Sequence, residues 1–242
     1  MPELHILPTP EEAAHAVAEF IADLSENQTH AQGRFTIALS GGSTPRRLYQ
    51  LLASPAYADR TAWDKWHVFW GDERCIPPDH EDSNYRMARE VLLDRVPIPA
   101  VHVHRMRGEE IPEVAAQEYE EALRQVFQVS RPVFDLILLG IGKDGHTASL
   151  FAGTGALKEK GRLVVANWAS KLQAHRITFT LPLINAANVI AFLVTEGSKA
   201  GVLKEVLHPS KGSSLLPAAQ VRPTSNPVHW FLTRSAASQL EA

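Results

Sequence analysis

Residues 138–151 read LLGIGKDGHTASLF, an apolar run that breaks into glycines and then reaches Asp144 and His146. An apolar run ending in glycine is typical of the carboxyl end of a buried parallel strand, where open α/β sheets bind their ligands. An imidazole there can change its protonation near neutral pH, and a carboxylate two residues away can orient it. The stretch therefore predicts a general base at the edge of a parallel sheet.

Strand-like and helix-like patterns alternate along the rest of the chain, as they do when a parallel sheet is covered by helices on both faces. Strands are predicted at 34–40, 67–70, 101–104, 134–139, 163–166, 176–181, 189–194 and 228–232, and helices at 11–24, 45–52, 83–96, 112–129 and 198–207. We see no internal repeat and no linker composition. The patterning predicts one α/β domain over 1–242, with a mainly parallel sheet.

Composition narrows the class of protein. The chain has 242 residues, 45% of them hydrophobic, and its net charge of −3 is not accompanied by a basic block, so we expect no nucleic-acid partner. The apolar runs are too short to cross a bilayer, and polar residues and prolines interrupt the N-terminal segment where a signal peptide would need an apolar core. A single cysteine, Cys75, excludes an intrachain disulfide framework. We expect a cytoplasmic protein without a membrane partner.

A second strand end carries the sequence LSGGSTP at 39–45. Paired glycines, Gly41 and Gly42, let backbone N–H groups approach an anion, and the following helix start adds a positive dipole end. Ser43 and Thr44 add hydroxyl donors. The spacing matches neither the Walker pattern nor the dinucleotide fingerprint, so it favours a small phosphate monoester. The alternative is a tight turn with a capping hydroxyl.

Two cations and one charged loop also lie at predicted strand ends. Lys199 falls in a first helical turn, where a cation is electrostatically unfavourable unless an anion binds there, and Arg176 could clamp a phosphate with two hydrogen bonds. The loop 70–86 is dense in charge, which suits a site because it would shift pKa values. Its candidates are Asp72, Arg74, Asn84 and Arg86. The alternatives are a solvated lysine, a strand-edge arginine and a surface salt-bridge cluster.

Three other candidates carry less weight. His102 and His104 share a face of a predicted strand, but without a third ligand nearby we expect no metal site. Cys75 has no evident histidine partner, and Ser149 lacks the nucleophile-elbow pattern of serine hydrolases.

Taken in order, six segments resemble the lactonases of the glucosamine-6-phosphate isomerase/6-phosphogluconolactonase superfamily. They are SGGSTPRRLYQLL at 40–52, WGDERCIPPDHEDSNYRM at 70–87, LLGIGKDGHTASLF at 138–151, RITFTLPLINAA at 176–187, EGSKA at 196–200 and LPAAQVRPTSNPVHWFL at 216–232. The resemblance implies a Rossmann-like fold and hydrolysis of 6-phospho-D-glucono-1,5-lactone in the oxidative pentose phosphate pathway. It also implies that neither a metal nor an organic cofactor is required.

The resemblance further implies a role for each candidate. His146 would take a proton from the water that attacks C1, and Asp144 would orient the imidazole. The phosphate would lie against residues 41–44, clamped by Arg176 and Lys199. The sugar end would be lined by Asp72, Asn84 and Arg86, with backbone N–H groups, Arg74 or Lys143 stabilising the oxyanion.

Two rival functions stay open at this point. A deaminase of the same superfamily is expected to carry a Glu five residues after the His, whereas this chain has Phe151. A non-catalytic sugar-phosphate sensor would need an attached interaction segment, and none is visible in the sequence. Ala152 and 172–174 replace prolines expected of the lactonases, which affects loop stiffness rather than chemistry. We expect a monomer or a weak homo-oligomer.

Overall fold

The strands form two sheets in a computed structural model that describes residues 2–210, 215–223 and 226–240. The strands are β1 (Glu3–Leu7), β2 (Phe35–Leu39), β3 (Trp66–Trp70), β4 (Asp72–Arg74), β5 (Leu136–Leu139), β6 (Val164–Ala169), β7 (Ala174–Phe179), β8 (Val189–Val194) and β9 (Val228–Thr233). The helices are α1 (Pro10–Gln32), α2 (Ser43–Leu52), α3 (Pro55–Ala58), α4 (Asn84–Val91), α5 (Pro112–Phe127), α6 (Gly155–Lys158), α7 (Leu181–Asn185) and α8 (Ala200–Leu207).

The larger sheet has six strands in the order β1-β9-β8-β5-β2-β3, and every pair of neighbours is parallel. The smaller sheet has three strands in the order β4-β7-β6, and both of its pairings are antiparallel. The chain passes from β3 into β4 through Gly71 alone, so the two sheets join directly. The predicted α/β fold with a mainly parallel, Rossmann-like sheet is confirmed.

Helices cover both faces of the larger sheet because its strands are apolar on both faces. On β5, Leu136 and Leu138 pack in a core shared with α1, α2 and α4. The alternate residues, Ile137 and Leu139, pack in a second core with α5, α7 and α8. Within the described ranges, no helix combines the length and the apolar composition that crossing a membrane requires.

The sequence prediction differs from the structure at several elements, and among them β4 and the short helices α3, α6 and α7 were not predicted. Residues Ala100–His102 form a short 3-10 helix, and only Val103 makes an isolated parallel bridge, to Val68, where a strand over 101–104 was predicted. Strand β1 was not predicted; it is a five-residue edge strand in which Leu4 and Ile6 are exposed. The predicted strands at 163–166 and 176–181 exist as β6 and β7 but pair antiparallel, in the smaller sheet.

Candidate active site

A cavity of about 230 Å³ opens beside the carboxyl ends of β2, β5 and β8, where the two sheets meet. Its wall contains most of the predicted site residues: Gly41, Gly42, Ser43, Thr44, Asp72, Arg74, Asn84, His146, Arg176 and Lys199. Segments far apart in sequence reach this place because the carboxyl ends of parallel strands lie along one edge of a sheet.

His146 is held by the neighbouring carboxylate of Asp144. The Nδ1 atom of His146 lies 2.5 Å from Oδ1 of Asp144, and the backbone N–H of His146 donates to the same oxygen at 3.3 Å. Although partial burial alone would raise it, the hydrogen bond and charge of His146 hold the pKa of Asp144 below its ordinary value. With Nδ1 bound to the carboxylate, Nε2 is the ring nitrogen left to exchange a proton with a ligand.

The loop around His146 fixes the imidazole from both sides. A Cβ atom added at Gly142 would overlap the His146 ring, so only glycine lets the backbone come this close. The backbone N–H of Gly142 donates to the His146 carbonyl at 2.9 Å, which closes the loop on itself. On another side, the ring of Phe151 lies 4.5 Å from the imidazole, centroid to centroid.

The loop before α2 presents backbone N–H groups to the cavity. Helix α2 begins at Ser43, and its N-cap, Gly42, has no side chain with which to satisfy the first-turn donors. The hydroxyl of Tyr49 donates to the Ser40 carbonyl at 2.8 Å and accepts from the Ser40 N–H at 3.0 Å, which anchors the loop to its own helix. Thr44 Oγ1 lies 3.3 Å from the hydroxyl of Thr195 at the end of β8. This is the arrangement that binds phosphate at helix starts.

Asp72 is oriented by two residues from other segments. Its Oδ2 atom accepts a hydrogen bond from Ser149 Oγ at 2.6 Å, and its carbonyl accepts one from Asn84 Nδ2 at 2.9 Å. The Asn84 side chain also packs so closely on Gly41 that a Cβ there would overlap it. Ser149 was considered only as a nucleophile in the sequence, and the structure makes it the partner of a carboxylate.

Glu73, which sequence reasoning did not single out, holds the loop that carries Asn84. Its carboxylate is 2% exposed and accepts from the backbone N–H groups of Asn84 and Tyr85, both at 2.8 Å, and from Ser83 Oγ at 3.1 Å. Such a carboxylate replaces the water it has lost with several donors. A glutamate within the charged loop 70–86 gives no sequence signal that distinguishes this role.

Arg74 and Arg176 lie directly opposite each other on β4 and β7. Within the described residues neither guanidinium group lies within ion-pair distance of a carboxylate; Arg74 donates to the Asp82 carbonyl and Arg176 to the His175 carbonyl. Burial, and then the charge of Arg74, lower the pKa of Arg176. Two like charges directly opposite in a sheet repel each other, and an anion placed between them would relieve that repulsion.

The three remaining predicted residues lie around the cavity rather than in its wall. Asp144 lies behind His146. Arg86 donates to Glu90 Oε1 at 2.6 Å and to the Asp79 carbonyl at 2.8 Å, and Lys143 is exposed. Lys199 does line the cavity, with its side chain 16% exposed and its Nζ 3.4 Å from Glu196.

Comparisons with known proteins point to one family. The family model described as glucosamine-6-phosphate isomerases/6-phosphogluconolactonase matches residues 8–230. A 6-phosphogluconolactonase of Nostoc sp. is 45% identical over 213 residues, 86% of each chain, and one of Synechocystis sp. is 46% identical over the same length. A solved 6-phosphogluconolactonase from Trypanosoma cruzi superposes with a TM-score of 0.89 at 28% identity, covering 100% of this chain and 98% of its own. A monomeric glucosamine-6-phosphate deaminase, 19% identical with a TM-score of 0.82, shares the fold.

Proposed function

The chain belongs to the glucosamine-6-phosphate isomerase/6-phosphogluconolactonase family, and from that premise we propose that it hydrolyses 6-phospho-D-glucono-1,5-lactone to 6-phospho-D-gluconate. This is the lactone-opening step of the oxidative pentose phosphate pathway. The observation that carries the proposal is a carboxylate-oriented imidazole in the same cavity as a helix start without a side-chain cap and two arginines that have no carboxylate partner among the described residues.

In this mechanism His146 accepts a proton at Nε2 as a water oxygen bonds to C1 of the lactone. Asp144, already bound to Nδ1, stabilises the imidazolium that results. The bond between C1 and the ring oxygen then breaks, and His146 returns its proton to that oxygen. A general base of this kind contributes about 10²–10⁴-fold in rate.

The substrate's phosphate is proposed to lie against the N–H groups at the start of α2, with Arg176 and Lys199 as its cationic partners. Asp72, whose Oδ2 already accepts from Ser149, has its other oxygen available for a sugar hydroxyl. Arg74, opposite Arg176, is the candidate to stabilise the oxyanion formed at C1. Holding the distant phosphate presents C1 to the water in the right orientation.

The position of Phe151 favours lactone hydrolysis over deamination. Its ring packs on the His146 imidazole, so an apolar group occupies the place where a deaminase is expected to carry a carboxylate. The ring-opening step of an amino-sugar phosphate would therefore lack that acid in this chain.

The test measures opening of freshly generated 6-phosphogluconolactone, coupled to 6-phosphogluconate dehydrogenase and corrected for spontaneous hydrolysis. We expect wild-type protein to accelerate the reaction and His146→Ala to lower kcat by about 10²–10⁴-fold with little change in KM. His30→Ala, at an exposed position of α1, is the control and should match the wild type. A normal kcat in His146→Ala would remove the base assignment, and ammonia release from glucosamine 6-phosphate without lactone opening would replace the proposed activity by deamination.

A further inference from the structure

A second cluster of chemically active side chains lies away from the cavity, at the amino-terminal end of β1 and β9. His5 Nε2 lies 3.3 Å from His229 Nδ1, and His229 Nδ1 lies 3.2 Å from Oε2 of Glu3. All three atoms lie within 4.8 Å of one another. We propose that Glu3, His5 and His229 bind one divalent transition-metal ion, with Zn²⁺ as the best match.

The spacing of the donor atoms fits an ion of this kind. Zinc is bound by imidazole nitrogen and carboxylate oxygen at about 2.0–2.2 Å in a tetrahedron, whose edges are then about 3.3–3.6 Å. The two separations measured from His229 Nδ1 are close to that edge length. Two imidazoles and one carboxylate favour zinc over calcium or magnesium, which prefer oxygen ligands. Three protein ligands leave the fourth position to water.

The fold holds the three side chains in place before any ion arrives. Parallel pairing puts Glu3 directly opposite His229, and His5 stacks on Phe231 with ring centroids 4.4 Å apart. Phe20 of α1 packs on the His229 ring at 4.8 Å.

The cluster is accessible and separate from the cavity. β1 is the edge strand of the larger sheet, and the side chain of Glu3 is 52% exposed, so an ion can enter from solvent. Glu3 and His229 lie near the starts of β1 and β9, whereas the cavity opens beside the carboxyl ends of the parallel strands. The metal site therefore does not depend on the proposed lactonase activity.

A second histidine pair provides an internal comparison. His67 Nδ1 and His104 Nε2 are also 3.3 Å apart, and the ring of His102 stacks on His67 at 4.0 Å. Yet within the described ranges only Glu3, His5 and His229 bring three metal-ligating atoms within reach of one ion. The comparison assigns the metal to the strand edge rather than to His67, His102 and His104.

The test uses the 242-residue chain without added histidines. The protein is stripped of metal with a chelator and titrated with Zn²⁺ by calorimetry. We expect His5→Asn and His229→Asn each to lower by one the number of tightly bound ions, with affinity at that site falling at least about tenfold. The control is His30→Asn, because His30 and Glu26 form an exposed pair 4.0 Å apart without a second imidazole, and it should bind like the wild type.

Two further measurements keep the outcome clear. Co²⁺ added to the wild type should give the visible absorption of a tetrahedral ion, and His229→Asn should lose it. Circular dichroism shows whether the variants fold, and Glu3→Gln at the exposed strand edge provides a third, milder variant. Absence of zinc binding by the wild type, or unchanged binding in all three ligand variants, would overturn the proposal.

Discussion

The two walls of the cavity are built differently. On the wall from the parallel sheet, polar groups find their partners within their own loop: His146 pairs with Asp144, and Thr147 Oγ1 donates to the Gly140 carbonyl at 2.8 Å. On the wall from the antiparallel sheet, Arg74 and Arg176 face each other without a carboxylate partner in the described part of the chain.

The difference suits the two tasks proposed for the walls, which are proton transfer and anion binding. A group that moves protons must keep its geometry when the cavity is empty, and the loop of His146 provides this with short local hydrogen bonds. A group that binds an anion gains most if its charge is uncompensated until the anion arrives. Like charges directly opposite in a sheet cost about 0.2–1 kcal/mol, so the arginine wall should be the less stable wall of the empty protein.

The largest effect is expected from Gly142→Ala, which changes the cavity wall that the parallel sheet provides. The new Cβ would overlap the His146 ring and turn it away from Asp144, and a displacement of about 1 Å can cost about 10²-fold in rate. We therefore expect kcat to fall by about 10²-fold or more with little change in KM, measured in the coupled lactonase assay. Gly155→Ala is the matched control, since a Cβ at Gly155 meets no atom within 4 Å. A kcat within a few-fold of wild type would show that the close approach of Gly142 is not what fixes the imidazole.

A smaller effect, on binding, is expected from Arg176→Gln on the other wall. Losing a charged hydrogen bond of about 1.5–3 kcal/mol should raise KM roughly 10- to 100-fold while changing kcat less. Because repulsion with Arg74 is also removed, the Tm of the unliganded variant should equal or exceed that of wild type. Inorganic phosphate should raise the Tm of wild type more than that of the variant.

The control for that experiment is Arg95→Gln, at an exposed position outside the cavity wall. It should leave KM and the effect of phosphate unchanged. If Arg176→Gln instead lowered the Tm of the unliganded protein by several degrees, Arg176 would be a structural residue, and the contrast between the walls would fail.

The parallel wall could be predicted from sequence because its signals are local. The run 138–151 carries strand, glycines, carboxylate and imidazole within a few residues, and 39–45 does the same for the helix start. The geometry of a strand end followed by a helix then puts both segments at one sheet edge. Residues 41–44 and His146 line the cavity, whereas Lys143 and Asp144 lie outside its wall.

The antiparallel wall could not be predicted to the same depth. The pairing of Arg74 with Arg176, and that of Asp72 with Ser149, depends on how strands distant in sequence align. A single sequence carries little information on such register, and β4 is too short to show a strand pattern. Arg86 was placed at the sugar end by resemblance, but its guanidinium group is bound to Glu90 and to a backbone carbonyl instead.

The smallest expected effect is on the pH dependence of stability. It concerns β3, the strand from which the chain passes into the smaller sheet. Burial, more than neighbouring charge, lowers the pKa of His67 and of His104 on the adjoining segment to about 4, and their ring nitrogens lie 3.3 Å apart. In the unfolded chain an imidazole binds a proton with a pKa of about 6.5, whereas the folded pair binds protons only at lower pH. The stabilisation is therefore complete above about pH 6.5 and is lost as the pH falls toward about 4.

His104→Asn should flatten this pH dependence, because one of the two partly buried imidazoles is removed. The measurement is the urea midpoint near pH 7 and near pH 5: wild type should lose more stability between them than His104→Asn does, and the exposed control His30→Asn should follow wild type. Equal losses in wild type and His104→Asn would mean that the pair does not sense acid. Lactonase activity near neutral pH should be unchanged in His104→Asn, because neither His67 nor His104 lines the cavity. Loss of lactonase activity in His104→Asn would instead show that the geometry of both cavity walls depends on β3 and its neighbouring histidines.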